Sequence, residues 1–294
     1  MSESKLPNYG GQAVIEGVMM RGKHYYAIAC RAPDNQIVIH KEPLSRIYRS
    51  KWTKIPFLRG LLMLWDALGL GIRALTISAN VQTGQDEKIE GPALYLTLAI
   101  SLAFAIALFF LAPAAMGQLT EHFWAWSTWL SNLVEGFVRL LLLIGYIWAV
   151  GFIPDIRRVF AYHGAEHKTI NAFEAGVELT PSNVARFPLE HPRCGTSFLL
   201  TLILLSILLF TLLGPLPWFW RLLSRILLLP LLAGIAYEYL RWTADHIRSP
   251  FVRFIVKPNL ALQRLTTREP SEDMLEISIA AFQAMQAGET QIVA

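Results

Sequence analysis

The sequence predicts a mainly α-helical, polytopic membrane protein with about four spans, an interfacial amphipathic helix and a small cytoplasmic β-rich N-terminal segment. Two observations support this fold class. Of the 294 residues, 54% are hydrophobic and only 16% are charged, a balance typical of a chain that shares its surface with lipid. The sequence also contains long uncharged runs such as 93–112, which as a helix covers a hydrocarbon core of roughly 30 Å.

Four stretches are predicted to cross the membrane: 93–112, 136–153, 197–213 and 221–240. Arg139 lies near one end of the second stretch, where its long side chain is expected to reach the lipid headgroups. A break at 214–217 separates the last two stretches. The fourth is the least apolar because it contains Arg221, Arg225 and Glu238, but two tryptophans at its start are typical of interfacial anchors.

The stretch 57–79 is apolar but contains Arg59, Asp66 and Arg73 at intervals of seven residues. These three side chains share one face of a helix. Such a pattern favours a helix that lies in the interface or packs on the bundle over a fifth span.

The distribution of basic residues predicts that both termini are cytoplasmic. All but three of the 26 Lys and Arg residues lie before the first span, between spans two and three, or after span four, and basic residues concentrate on the cytoplasmic side. No apolar run follows the first residues, so no cleavable signal is expected. The predicted location is the inner (plasma) membrane of a cell or a plastid-type membrane.

The predicted contacts of the chain are with the lipid bilayer and with a membrane-protein partner or a second copy. Nucleic acid is not expected, because the basic residues form no stretch interleaved with aromatic side chains. Cys30 and Cys194 lie far apart on the side predicted to be reducing. They are therefore expected to be free thiols.

The cytoplasmic parts are predicted to have structure of their own. The stretches 11–21, 25–32 and 36–41 are β-like, with a hairpin turn at 33–35. An amphipathic helix is predicted to begin after Ser271, a typical N-cap residue. The predicted organisation is a β-rich segment, an interfacial helix with a linker, spans one and two, a cytoplasmic loop, spans three and four, and a cytoplasmic tail, over 1–55, 56–92, 93–153, 154–196, 197–240 and 241–294.

A possible metal site begins in the cytoplasmic loop, in a segment that reads as helix. His163 and His167 are four residues apart, so their rings share one face of a helix and can bind one metal ion. With Glu166 they form the pattern His-x-x-Glu-His, which matches a metalloprotease signature in which the glutamate activates water. The pattern predicts two metal ligands and a general base.

Further ligands must come from other segments. Glu174 lies on the same helix face but two turns beyond His167, too far to share its ion on a straight helix. His191 and Cys194, just before span three, are the nearest candidates to complete the set. Other polar candidates are Glu16, Glu238, Asp245 and His246.

Structural roles compete with each of these predictions. The histidines could bond to lipid headgroups, and Cys194 could be a small buried apolar side chain. For Glu16, a structural ion pair is the default expectation. For Glu238, an ion pair with Arg241 or another basic residue competes with a catalytic role.

Four blocks of the sequence resemble the YqhQ-like family, a family of unknown function among bacterial and plastid membrane proteins that are labelled as predicted metal-dependent enzymes. The blocks are GGQAVIEGVMMRG, AYHGAEHKTINAFEAG, HPRCGTSF and TREPSEDMLEISIAA, and the resemblance covers nearly the whole chain. It implies no particular substrate. It does imply that the site is made of residues in these blocks: His163, Glu166, His167, Glu174, His191 and Cys194.

The predicted function is a membrane-embedded, metal-dependent enzyme with a hydrolytic reaction. His163 and His167, completed by His191 or Cys194, are predicted to bind a divalent metal ion, with zinc favoured. Glu166 or Glu174 is the predicted general base. The alternative is a non-enzymatic membrane factor that assists protein insertion, assembly or a transporter, in which the histidines are structural.

Overall fold

An antiparallel sheet of four strands opens the part of the chain described by the computed structural model, which covers residues 9–45, 55–83, 91–214 and 216–293. The strands are paired in sequence order, and their bounds are β1 Gly10–Val14, β2 Gly17–Arg21, β3 Tyr25–Arg31 and β4 Ile37–Pro43.

The β-like stretch predicted over 11–21 forms two strands, because a tight turn divides it into β1 and β2. Val14 pairs with Gly17, which leaves Ile15 and Glu16 as the turn, and Glu16 has a positive φ of 51°. Gly17 follows, and a Cβ there would lie 2.2 Å from the carbonyl oxygen of Ala29. The predicted hairpin turn at 33–35 is confirmed between β3 and β4.

The sheet lies between helices on both faces, as the alternation of side chains along a strand allows. On one face, alternate residues of β2 and β3 pack with α5 (Pro154–Glu174), the short α6 (Pro181–Val184) and α11 (Glu272–Val293). On the other face, Met19, Tyr26, Ile28 and Cys30 pack against α1 (Leu58–Thr83). The predicted helix after Ser271 is confirmed as α11.

Four helices in the described residues are long and apolar enough to cross a membrane, or five if a bent pair is counted as one span. The first is α1. The second, 95–124, joins α2 (Pro92–Ile106) to α3 (Ala112–Trp124) through a π-helical segment at Ala107–Leu111. The third and fourth are α4 (Thr128–Val150) and α7 (Gly195–Leu212).

The predicted fourth span is not one straight helix. It consists of α8 (Trp218–Leu227) and α9 (Leu229–Asp245), which are bent by 42° at the break between them. Pro230 lies in the first turn of α9, where its missing N–H costs no hydrogen bond. The break predicted at 214–217 falls between α7 and α8, with residue 215 outside the described part.

Helix α1 corresponds to the stretch predicted to lie in the interface. Its first turn packs on α9, where Arg59 forms an ion pair with Glu238. Its second half packs on the sheet through residues that include Ala74. The opposite side carries exposed apolar side chains, of which Trp65 is 76% exposed.

Helix α10 (Pro250–Thr266) is absent from the sequence prediction, which described this region only as tail. It contains Pro258 in its interior and several charged residues, which obscure its helical pattern. Leu262 packs with side chains of α4 and α7. Helix α10 therefore joins the apolar helices to the region where α5 begins.

Candidate metal centre

Three residues, 151–153, separate the end of α4 from the start of α5. Pro154 is the first residue of α5, and the fixed φ of proline suits that position. The middle of α5 is buried between the sheet on one side and α10 and the start of α7 on the other. His163 and His167 lie one turn apart on this helix, and their ring centroids are 4.4 Å apart. The predicted pair is therefore on one helix face.

Both histidine rings are oriented by backbone carbonyl groups. Nδ1 of His163 is 2.9 Å from the carbonyl oxygen of Thr266 in α10. Nδ1 of His167 is hydrogen-bonded to the carbonyl oxygen of Leu189. Because a carbonyl only accepts, each Nδ1 carries the proton and each Nε2 is left with a lone pair. Metal-binding histidines are typically oriented in this way.

Cys194 is the N-cap residue of α7. Its Sγ atom is 3.3 Å from Nε2 of His163 and 3.4 Å from the backbone nitrogen of Thr196, with the Thr196 hydroxyl at 3.1 Å. The N-terminus of a helix favours negative charge. This position therefore suits a thiolate ligand.

One ligand atom from each of His163, His167 and Cys194 lies within 4.8 Å of the other two. Zinc binds histidine nitrogen at about 2.0–2.1 Å and cysteine sulfur at about 2.3 Å, so ligand atoms around one ion lie about 3.3–3.8 Å apart. A small adjustment of the side chains brings this group to that spacing. Three protein ligands leave a fourth position, as in catalytic zinc sites.

His191 lies beside the group but is not part of it. Its ring centroid is 5.8 Å from that of His167, and the side chain is only 3% exposed. Gln263 in α10 fixes its backbone, accepting from the His191 amide and donating to its carbonyl, both at 2.9 Å. Its Nε2 is buried, has no hydrogen-bond partner and lies 3.7 Å from Glu174. Burial lowers the pKa of His191, so the neutral ring is favoured.

Glu174 does not join the three ligand atoms. Its carboxylate forms an ion pair with Arg193 and faces His191. Burial alone would raise its pKa, but the adjacent His191 ring and the charge of Arg193 hold it below the usual range. Glu174 therefore anchors the HPRC segment to the end of α5.

Glu166 is also outside the ligand group, on the side of α5 that faces β1. It is 5% exposed, and a Cβ on Gly11 would lie 2.9 Å from its Cγ, so the glycine leaves room for the side chain. Burial raises the pKa of Glu166 to about 7, against the opposing effects of His163 and of a hydrogen bond from the Gly11 backbone. Strand β1 therefore supports the carboxyl group of Glu166 on α5.

The remaining sequence candidates lie elsewhere. Glu16 forms a two-pronged ion pair with Arg158, with both N–O distances at 2.5 Å, so the expected structural ion pair is confirmed. Glu238 pairs with Arg59. The group of potential metal ligands in the described residues includes neither Asp245 nor His246, and Nδ1 of His246 is 2.8 Å from the Trp242 carbonyl.

Sequence reasoning did not identify Leu189, Thr196, Gln263 and Thr266, which orient the site. Leu189 and Thr266 act through backbone carbonyls, and any residue type supplies a carbonyl. Gln263 is the exception, since it follows Asn259 by four residues in an otherwise apolar buried helix face. A polar pair at this spacing is a usable signal.

The family comparison agrees with the motifs. Residues 55–287 match the model of a protein family of unknown function, DUF1385. The uncharacterized protein YqhQ of Bacillus subtilis (strain 168) is 37% identical over 300 residues, which cover 96% of this chain and 93% of that protein. No solved structure matches the chain significantly. The chain therefore belongs to the DUF1385 family, the YqhQ-like family that its motifs predict.

Proposed function

We propose that this protein is a membrane-embedded, metal-dependent enzyme whose reaction is hydrolytic, with zinc as the preferred ion. The observation that carries the proposal is the convergence of His163, His167 and Cys194, three ligands from two helices, with their ligand atoms within 4.8 Å of one another. The carbonyl groups that bind Nδ1 of both imidazoles support it further, since metal-binding histidines are typically held by such a partner at the other ring nitrogen.

When bound, a zinc ion supplies a polarised water molecule for attack on an acyl or phosphoryl group. Glu166 is the proposed acid–base residue, because it adjoins His167 and its carboxyl group is held in place by β1. The burial of the site limits access of bulk water, which strengthens electrostatic interactions there. Glu174 has a positioning role, since Arg193 and His191 already engage its carboxylate.

His191 is the proposed neighbour of the open coordination position. Its unpartnered, buried Nε2 needs a polar partner. That partner is a ligand at the fourth position, either water or a polar group of the substrate. In this proposal, His191 binds the water molecule or the substrate at the metal site.

The proposed membrane placement rests on the apolar helices and on the positions of the basic residues. With α4 and α7 crossing the bilayer, the metal site lies where α5 leaves the end of α4 and where Cys194 begins α7. The concentration of Lys and Arg in the same segments favours the cytoplasmic face. The enzyme would act in the inner membrane of a cell or in a plastid membrane, at the bilayer surface.

Metal analysis of the detergent-solubilised full chain tests the ligand set. We expect about one zinc per chain, with loss of the metal in a His163→Ala, His167→Ala double variant and in Cys194→Ser. His246→Ala, which changes an exposed histidine outside the group, is the matched control and should retain the metal. A well-folded wild-type protein that binds no added zinc, iron or manganese would overturn the proposal.

The alternative, a non-enzymatic factor for protein insertion, assembly or transport, is favoured by a different observation. Helix α1 presents Trp65, Leu68, Ile72 and Leu75 on its exposed side, a row that suits either lipid or the helix of a partner. Trp65→Glu distinguishes the two functions. If α1 is the functional surface, this variant should abolish cross-linking to a partner. If the metal centre is the functional site, the variant should keep its metal content and its hydrolytic activity.

A further inference from the structure

Three arginines and a glutamate form a buried ionic cluster in the half of the apolar helices away from the metal centre. Glu135, Arg139 and Arg225 are each 1% exposed and Arg221 is 2% exposed. Arg139 lies at the middle of α4, 11 residues from either end, or roughly 16 Å along the axis. The expectation that Arg139 reaches the headgroups is therefore wrong, because its side chain turns inward to Glu135.

The cluster is connected by short polar contacts from several helices. Glu135 accepts from Arg139 at 2.9 Å and from Arg225 at 2.7 and 2.8 Å. The π-helical segment provides the carbonyl of Phe109, which accepts from Nε of Arg139 at 2.9 Å. Such segments are frequent at functional sites, because they free a backbone carbonyl from the helix.

The charges in this cluster do not balance. In the described part of the chain, the ion pairs of the three arginines involve only Glu135 and Glu121. Three guanidinium groups thus face two carboxylates, which leaves one positive charge. An uncompensated charge inside a membrane is unfavourable, and charged residues in spans mark binding sites or pathways.

Arg221 is the arginine of the cluster that has an unused hydrogen-bond donor. Its Nε is buried and has no hydrogen-bond partner, and two of its contacts, to Gln118 and to Glu135, are as long as 3.4 Å. Its contacts with Glu121, at 2.8 Å, and with Asn132, at 3.1 Å, have the usual length of a hydrogen bond. Glu121, the partner of Arg221, is more exposed than the four buried residues of the cluster, with 21% of its side chain accessible. It therefore occupies the outer edge of the cluster, where an incoming anion would meet Arg221.

We propose that Arg221, with Arg225 behind it, forms a binding site for a phosphate-bearing anion and that Glu121 is the internal competitor for this site. Guanidinium groups bind phosphate oxygens through parallel N–H donors, and Nε of Arg221 is one such donor. The anion supplies the missing negative charge. Its source is either the headgroup of an anionic phospholipid or free phosphate.

Thermal unfolding of the full chain in a neutral detergent tests this site with three probes: inorganic phosphate, short-chain phosphatidylglycerol and short-chain phosphatidylcholine. We expect one or both of the first two to raise the midpoint and the zwitterionic lipid to have no effect. A response to phosphatidylglycerol alone identifies a lipid source, and a response to phosphate identifies a soluble one. No response to either anion overturns the proposal.

Two variants assign the response to the cluster. Arg221→Gln should raise the half-saturating concentration about tenfold or more, while Glu121→Gln, which removes the competing carboxylate, should lower it about tenfold. Arg157→Gln removes an exposed arginine next to the metal-bearing end and should change nothing. If Arg221→Gln does not fold, Glu121→Gln decides: an unchanged half-saturating concentration means that the cluster is a structural ion network only.

Discussion

Nε2 of His163 and Sγ of Cys194 are 3.3 Å apart although 31 residues separate them in the chain. The contact joins the helix that packs on the sheet to the N-cap residue of an apolar helix. A metal ion bound here would tie the sheet-bearing part to the apolar helices. The same atoms would then serve both stability and chemistry, and the predictions below separate the two roles.

The two cysteines should differ in reactivity. Burial, followed by the negative charge of Glu16, raises the pKa of Cys30 to about 12, so at pH 8 it has almost no thiolate, the form that reacts. Both thiols are buried, with Cys30 1% and Cys194 7% exposed. We expect iodoacetamide to leave Cys30 unmodified and to modify Cys194 slowly in metal-free protein, with added zinc protecting Cys194. Mass spectrometry of peptides reads out both sites, and modification of Cys30 at the rate of Cys194 would contradict the burial described for β3.

Glu166→Gln should separate binding from chemistry. The amide is of similar size and keeps the packing against Gly11, so zinc content should equal that of the wild type. Loss of the acid–base group should slow hydrolysis by about 10²- to 10⁴-fold, measured on any ester, amide or phosphoester that the wild type cleaves. Glu178→Gln, at an exposed position, is the control. Full activity in Glu166→Gln would show that Glu166 takes no part in the reaction.

Gln263→Ala should weaken metal binding without touching a ligand. Gln263 fixes the backbone of His191 and donates to Ser197 at 2.9 Å, so it positions the segment that carries Cys194. Losses of such supporting contacts reduce metal affinity by about 10- to 100-fold. Competition with a chelator measures the affinity, and the exposed Gln283→Ala provides the control. Equal affinities would assign Gln263 to packing alone.

The ion pair between Glu16 and Arg158 should contribute to stability at neutral pH and not in acid. Its hydrogen bonds to Arg158 hold the pKa of Glu16 below the ordinary value of 4.5. The contribution is therefore present above that value and is lost as the pH falls through the lower, folded pKa. Thermal midpoints of the wild type and Glu16→Gln should converge between neutral pH and about pH 3. A constant difference across that range would contradict the prediction.

The sequence predicted much of the candidate metal site because the residues that the structure brings together lie in short motifs. The spacing of His163 and His167 places them on one helix face, and the segment with Cys194 directly precedes an apolar run. It could not separate Cys194 from His191, since the two lie three residues apart and their directions depend on hydrogen bonds between Gln263 and His191 and between Thr196 and Cys194.

The buried ionic cluster was missed for a different reason. Hydropathy judges each span alone, whereas Arg139 is compensated by Glu135 on its own helix, by Ser206 on α7 and by a carbonyl of the π-helical segment. Glu135 also lies just before the start predicted for its span, at 136. The bend between α8 and α9 also escaped prediction, because hydropathy does not register a break, although Pro230 lies beside it in the first turn of α9.

Helix α7 carries a row of buried hydroxyl groups, and this row constrains the order of biogenesis. In α10, Gln263 donates a hydrogen bond to Ser197 and Asn259 donates one to Thr201. The carbonyl of Thr266, at the end of α10, binds the ring of His163. All three partners are translated more than 45 residues after α7 ends. In an α7 that crosses the bilayer, the polar side would enter the membrane before it is satisfied, and loading with a metal would be a late step that reports completed assembly.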